Sequence, residues 1–250
     1  MVTYFRSIFI SDVHLGTKES QAPALLDFLR DYECENLYLV GDIIDGWAIR
    51  RKFTWEQSHS DVIQKILRKA RKGTNIYYVI GNHDEFVRGF LPLQLGHSIK
   101  IDNTFDYISL KNKRYLITHG DFFDSITLTK KWLAITGDRA YTFFLKTNRP
   151  INYIRQRLGY KRFWSLSKFL KQNVKKAVMF IDDYENILAL HAKKNKYDGV
   201  ICGHIHHPEI KEINGIEYIN TGDWIESNSA IVETLEGEFV LLDFLEPHQQ

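Results

Sequence analysis

Short apolar runs along the chain end abruptly in turns rich in glycine and acid, and between those runs apolar residues recur every three to four positions. Ser7 to Ile10 reads as a buried strand that runs directly into the polar turn Asp12 to Gly16. Leu25, Leu26, Phe28 and Leu29 belong to a first helix, and Leu37 to Val40 to a second strand ending at Gly41 and Asp42. Val62, Ile63, Ile66 and Leu67 have helical spacing before a third strand, Ile76 to Ile80, which ends at Gly81, Asn82 and His83. Alternating strands and helices of this kind predict an α/β domain. Polar residues at the carboxyl ends of its strands lie where open α/β sheets bind ligands. Further on the pattern changes. Tyr107 to Leu110 and Arg114 to Thr118 read as strands around the Lys111 to Lys113 turn, and Val174 to His191 as a long helix. Val200 to Cys202, Glu209 to Ile213, Ile216 to Ile219, Ala230 to Thr234 and Phe239 to Leu242 read as strands joined by tight turns such as Asn214-Gly215 and Glu236-Gly237. There is no internal repeat.

Composition narrows the class. The chain has 250 residues, 44% of them apolar, with 33 basic and 31 acidic side chains and a mean hydropathy of -0.30. Those values exclude disorder and collagen, and the length allows one large α/β domain or two small ones, with a core big enough to hold a catalytic site without disulfides. The two cysteines, Cys34 and Cys202, have no CxxC spacing. That argues against a disulfide framework or a thiolate zinc site and points to a reducing, cytoplasmic setting. No stretch approaches the roughly 18 to 20 apolar residues that cross a bilayer. The first residues lack the apolar run and cleavage site of a secretory signal, so the mature chain is expected to begin near Met1.

Charge is unevenly distributed. The net charge of +2 hides a segment from Thr129 to Lys176 that holds 13 Lys or Arg against the single acid Asp138, leaving the remainder acidic. The same segment carries Trp132, Tyr141, Phe143, Phe144, Tyr153, Tyr160, Phe163, Trp164 and Phe169. A merely solvated basic tail would not need so many aromatics. The segment reads as a mostly helical cap inserted at about residues 122–176 into a single domain spanning 1–250.

Five polar clusters carry the chemistry: Asp12-Val-His14, Gly41-Asp42-Ile-Ile-Asp45, Gly81-Asn82-His83-Asp84, His119-Gly-Asp121 and Gly203-His204-Ile-His206. Each alone could be a cap or a loop hydrogen bond. Together they supply carboxylate, amide oxygen and imidazole and no thiolate, a mixture suited to manganese, iron or zinc. Seven such ligands exceed what one ion can use. They fit two ions about 3.5 to 4 Å apart that share a carboxylate. Glycines before Asp42, Asn82 and His204 permit the tight turns this layout needs.

In these clusters the chain resembles the calcineurin-like metallophosphoesterases, whose motifs D-x-H, G-D-x-x-D, G-N-H-D/E, H-G and G-H-x-H occur in order at Asp12 to His14, Gly41 to Asp45, Gly81 to Asp84, His119 to Gly120 and Gly203 to His206. The resemblance spans about residues 5–245. It implies a four-layer αββα sandwich with two divalent metals at the strand ends, manganese foremost. By motif position Asp12, His14, Asp42 and His206 would hold the first ion, and Asp42, Asn82, His119 and His204 the second. It also implies that His83 donates to the substrate phosphate or leaving group, with Asp84 orienting its ring. Asp45 and Asp121 would either hold metal-bound imidazoles or waters or serve only as loop caps, and Asp223 would help shape the site. The remaining histidines, His59, His97, His191, His207 and His248, show no ligand spacing and read as surface or packing residues. A buried, inert thiol is expected at Cys202.

The core implies phosphoester or pyrophosphate hydrolysis, and the substrate is left to the insertion. A basic, aromatic cap suits a membrane surface and lipid substrate, single-stranded nucleic acid, or a helical hairpin with solvated charges. The length, the insertion after His119 and the tract from Ser167-Lys168 to Lys175-Lys176 resemble the UDP-2,3-diacylglucosamine diphosphatases of lipid A biosynthesis, which release UMP and an acylated sugar phosphate. That resemblance implies a UDP-linked lipid substrate and a peripheral position on the inner membrane through the cap, with no stable nucleic-acid partner. It puts Lys168, Lys175, Lys176, Arg50 and Arg51 at the pyrophosphate. A branch of that family has arginine where this chain has His83, which leaves open a related phosphoesterase: a nuclease, a nucleotide phosphodiesterase or a protein phosphatase.

Overall fold

The computed structural model of the chain describes residues 2–123 and 181–244. A seven-stranded sheet is built from β1 (Thr3–Ile10), β2 (Tyr32–Val40), β3 (Asn75–Val79), β4 (Leu93–Leu95), β5 (Ile99–Asp102), β11 (Ser229–Glu233) and β12 (Phe239–Asp243) in the order β12-β11-β1-β2-β3-β5-β4. A five-stranded sheet follows the order β6-β7-β8-β10-β9, from β6 (Thr104–Ile108), β7 (Arg114–Thr118), β8 (Gly199–Cys202), β9 (Glu209–Ile213) and β10 (Ile216–Asn220). Strands β1, β2 and β3 are parallel neighbours, as are β7 and β8. The chain divides into two units, Met1–Asp121 with Leu188–Gln250, and Phe122–Ile187. The second unit lies mostly outside the described residues, as do the cap and its Lys168, Lys175 and Lys176.

The layers follow from the period-two alternation of the strands. Phe9, Tyr38, Val40 and Val79 of the large sheet pack with Tyr107, Tyr115, Ile117, Ile201 and Ile219 of the small one in a core cluster between the sheets. Ile8, Ile10, Leu37, Leu39 and Ile76 face the other way and pack with α1 (Ala22–Asp31) and α3 (Gln57–Arg71) through Leu25, Phe28, Leu29, Val62 and Ile66. The far face of the small sheet buries Leu116, Val200, Cys202 and Tyr218, and the helix at residues 181–194 supplies buried Leu188, Ala189 and Ala192. This is the expected αββα sandwich. Among the described residues no helix is long and apolar enough to cross a membrane.

Element boundaries depart from the hydrophobic pattern where burial is one-sided. The expected strand Tyr107 to Leu110 instead starts at Thr104 and ends at Ile108, because Phe105 and Tyr107 face the core while Ile108 and Leu110 are exposed. Ser109 already begins a turn, accepting from the backbone N–H of Asn112 and, through its Oγ, from that of Lys113. Strands β4 and β5 and the short helix α2 (Gly46–Arg51) carry no clear period and were not anticipated.

Candidate metal centre

All five polar clusters sit at the carboxyl ends of parallel strands: the first three after β1, β2 and β3, the others after β7 and β8. The turns are pinned to one another. Asp12 N–H donates to the Gly41 carbonyl, and His14 and Leu15 donate to those of Asp42 and Ile43. Asp12, His14, Asp42, His204 and His206 all adopt positive φ, between 49° and 74°. Left-handed backbone is uncommon for side chains of this kind. Five such residues in one place mark strain held by the surrounding structure, as functional sites do.

Hydrogen bonding leaves one face of each ligand type turned inward. Asp12 Oδ2 accepts from Ser11 Oγ at 2.5 Å and from the His204 N–H at 2.9 Å, and Asp42 Oδ1 accepts from the His83 N–H at 2.8 Å. Each carboxylate thus keeps one oxygen for the site. His119 Nδ1 donates to the Val40 carbonyl at 2.9 Å, and His14 Nδ1 donates to Asp45 Oδ2 at 3.2 Å. A carbonyl only accepts, so Nδ1 of His119 carries a proton and Nε2 is the nitrogen left to the site. The inward atoms then meet. His206 Nε2 is 3.2 Å and His14 Nε2 3.8 Å from Asp12 Oδ1, while Asp42 Oδ2 is 3.2 Å from His119 Nε2 and 4.0 Å from His14 Nε2.

Three groups have ligand atoms within 4.8 Å of one another: His14, Asp45 and His83, which Asp45 ties together, and the two that face inward, Asp12, His14 and His206, and Asp42, His119 and His204. Asp42 Oδ2 faces ring nitrogens of both. His14 Nε2 and Asn82 Oδ1 are buried without a hydrogen-bond partner, the condition a cation relieves. Hard oxygens and imidazoles without thiolate fit a divalent first-row metal. The electrostatics of these groups point the same way. Burial works against ionisation of Asp12 and Asp42, but the imidazoles, His119 foremost, outweigh it and hold both carboxyls below their ordinary range. Burial alone would lower His119, yet Asp42 and Asp12 raise it to about 10. The site demands positive charge among its acids.

His83 stands beside this pair, its Nε2 4.0 Å from Asp42 Oδ2. Its Nδ1 lies 2.9 Å from Asp45 Oδ2, so the carboxylate at its ring is Asp45 and not Asp84. Asp84 is fully buried and accepts from Ile43 N–H, Gly81 N–H and Tyr78 Oη at 2.9, 2.6 and 2.6 Å. It clamps the turn after β3 onto the turn after β2. Burial, and then the charge of Asp42, push its carboxyl up to about 6. Asp121 pairs with Arg88 at 2.5 Å, and Asp223 accepts from the backbone N–H groups of Ile225, Glu226 and Ser227, closing its own turn. From that segment, Thr221 Oγ1 reaches Ser11 Oγ at 2.6 Å and Trp224 N–H donates to the Asp12 carbonyl. Ser11 escaped the sequence reading although it is a polar residue closing an apolar strand, and that placement was the available signal.

The other expected residues are scattered. Arg50 and Arg51 are exposed in the last turn of α2. His59 is buried and accepts from the Gly16 N–H, while His97, His191 and His207 are exposed. Cys202 is buried, as expected. Gly41 does take a φ of +86°, but Gly81 and Gly203 do not appear among the positive-φ glycines. They are needed for room: a Cβ on Gly81 would stand 2.2 Å from Asp42 Oδ1, and one on Gly203 2.5 Å from Asp12 Oδ2.

Comparison with known proteins supplies a family match over residues 5–208, to the calcineurin-like phosphoesterase model. A UDP-2,3-diacylglucosamine hydrolase of Neisseria meningitidis serogroup A is 29% identical over 239 residues, covering 90% of this chain and 92% of the relative. Its counterpart in Haemophilus influenzae is 28% identical, covering 93% and 97%. Among solved structures, a phosphoesterase from E. coli matches with a TM-score of 0.45 at 16% identity, covering 95% of this chain and 98% of that one.

Proposed function

From a chain that belongs to the calcineurin-like phosphoesterase family, and is therefore a metal-dependent phosphoesterase, we infer hydrolysis of UDP-2,3-diacylglucosamine to UMP and 2,3-diacylglucosamine 1-phosphate. Relatives of that name, alike over about nine-tenths of both chains, support the substrate. The chemistry rests on one observation: Asp42 Oδ2 faces the ring nitrogens of two ligand groups at once. Asp12, His14, Asp42 and His206 would hold one divalent ion, and Asp42, Asn82, His119 and His204 a second. Manganese is the ion to supply first. When bound, the metals neutralise charge on the phosphoryl oxygens and make water a nucleophile at neutral pH.

The protein's own side chains do the rest. Asp45 holds Nδ1 of His83, and Nε2 is left to donate its proton to the oxygen that leaves phosphorus. Burial alone would lower this imidazole, but Asp45 and then Asp42 raise it above its ordinary value, the direction a proton donor at Nε2 requires. The half-buried position of His83 admits substrate. Asp84 acts through the turns it clamps. Lys168, Lys175 and Lys176 of the basic segment would contact the pyrophosphate, with Arg50 and Arg51 further candidates. The aromatics of that segment suit acyl chains, and its charge suits an anionic membrane surface on the cytoplasmic side.

The test is direct. Purified protein with manganese is offered UDP-2,3-diacylglucosamine, single-stranded DNA, a cyclic nucleotide and a phosphopeptide. UMP release from the first alone is expected, and turnover of another in its place overturns the substrate assignment. Asp42→Ala should abolish activity on every phosphoester accepted.

A further inference from the structure

His83 is held from more than one side. Its Nδ1 edge meets Asp45, while the indole of Trp47 lies over the imidazole with ring centroids 4.3 Å apart and planes inclined by 37°. The His14 ring stands edge-on at 4.6 Å and 87°. A ring anchored through one nitrogen can still pivot about that contact, and a second flat surface removes the freedom. Trp47 is itself tied to the segment that carries His83, because its Nε1–H donates to Glu85 Oε1 at 3.1 Å. The backbone adds a further link, from the Gly46 N–H to the His83 carbonyl at 2.9 Å. Asp45, Gly46 and Trp47 are thus three consecutive residues that grip one histidine by its edge, its carbonyl and its face. Trp47 is nevertheless 46% exposed, so core packing does not account for a residue this large.

We propose that Trp47 is a positioning residue that, together with Asp45, clamps the His83 imidazole so that Nε2 meets the leaving oxygen of the phosphoester. This rests on His83 being the proton donor. A donor must lie within hydrogen-bond reach of the oxygen it protonates, and small misplacements cost large factors in rate. Removing the indole therefore lowers the rate of leaving-group departure without weakening substrate binding.

The experiment compares Trp47→Ala, Trp47→Phe, His83→Ala and the double variant Trp47→Ala/His83→Ala with the wild type, all loaded with manganese. The substrates are an unactivated alkyl phosphodiester, whose alkoxide must be protonated as it leaves, and bis(p-nitrophenyl) phosphate, whose phenolate leaves without a proton; UDP-2,3-diacylglucosamine is not the probe, because its leaving sugar phosphate is itself a stable anion and needs the donor least. Trp47→Ala should lower kcat on the first by roughly tenfold to a hundredfold with KM within about twofold, and change the chromogenic reaction little. Trp47→Phe, which keeps a ring face, should recover most of the loss. The double variant should be no slower than His83→Ala, as expected for two residues acting through one group. In the chelated protein, the carbon-bound ring protons of His83 should move downfield in Trp47→Ala as the indole ring current is lost. Thermal melting separates these effects from misfolding. Raised KM with unchanged kcat, equal losses on both substrates, or multiplicative losses in the double variant overturn the proposal. A wild-type kcat in His83→Ala removes the proton donor itself, and the clamp falls with it. A slow His83→Ala beside a normal Trp47→Ala removes the clamp alone.

Discussion

The single side chain that does most to organise the site is Asp45. Its Oδ1 accepts from the Ala48 N–H at 2.6 Å, starting α2, and its Oδ2 serves both His14 and His83. Burial opposes its ionisation, but the contacts to His14 and His83 and the Ala48 N–H outweigh it, and the carboxyl sits below its ordinary range. A depressed acid contributes stability that is present above its unfolded value, near 3.9, and lost as pH falls toward the folded one. In chelated protein, Asp45→Asn should therefore cost about 1 to 3 kcal/mol at pH 7 by urea denaturation. The gap to wild type should narrow as pH falls below about 4, while a gap independent of pH would rule out the ionised carboxylate as its source. The sequence showed Asp45 and Asp84 equally plainly but could not divide their work. Asp84 is adjacent to His83 in the chain, yet its oxygens are taken by Ile43 N–H in the turn after β2 and by Gly81 N–H and Tyr78 Oη, whereas Asp45 arrives from the neighbouring strand. Adjacency in sequence is a poor guide where a loop turns every successive side chain in a new direction.

At the scale of elements, strands β1, β2, β3, β7 and β8 were legible because each is an apolar run stopped by a polar turn, and those stops are the site. Strand β5 was not, because Ile99-Lys-Ile-Asp102 is only four residues long with polar alternate positions, and the three-residue β4 offers still less to read. The glycines in the turns were visible, but their purpose was not: a sequence cannot distinguish a glycine needed for its φ from one needed for space. Gly81 and Gly73 make the contrast testable. A Cβ at Gly81 meets Asp42 Oδ1 at 2.2 Å and the Asp42 backbone nitrogen at 2.7 Å, whereas Gly73, at a φ of +104°, has nothing within 4 Å. Gly73→Ala should cost about 1 kcal/mol from backbone strain and leave bound manganese unchanged. Gly81→Ala should cost about 1 to 3 kcal/mol and lose most of its metal by elemental analysis, with far-UV circular dichroism preserved. Full metal content in Gly81→Ala would show that Asp42 moves aside without consequence for the site.

Across the whole sandwich, the proposed metal ligands follow strands of both sheets, and neither sheet alone supplies the full set. The rigid core between the sheets, where Phe9 stacks on Tyr38 and Tyr38 on Tyr77, holds the strand ends at fixed separation. The cost is concentrated at those ends: two buried carboxylates, inward-facing imidazoles and five residues of left-handed backbone. A cation that binds this arrangement and not the unfolded chain stabilises the fold by mass action, by about 2.7 kcal/mol for one site at a hundred times its dissociation constant. Chelation should therefore lower the melting temperature by several degrees, and manganese should restore it along a saturable curve. Asp42→Asn separates this linkage from general destabilisation. It removes a buried charge that the imidazoles, His119 foremost, favour over burial and the opposition of Asp12, so the chelated variant should melt below chelated wild type, and the comparison that decides is the shift each protein shows when manganese is added. Having lost the oxygen that serves both ligand groups, it should gain little or nothing on adding manganese. A wild-type metal shift in Asp42→Asn would mean that cations stabilise the protein elsewhere, and that the convergence of five strand ends on this carboxylate serves packing alone.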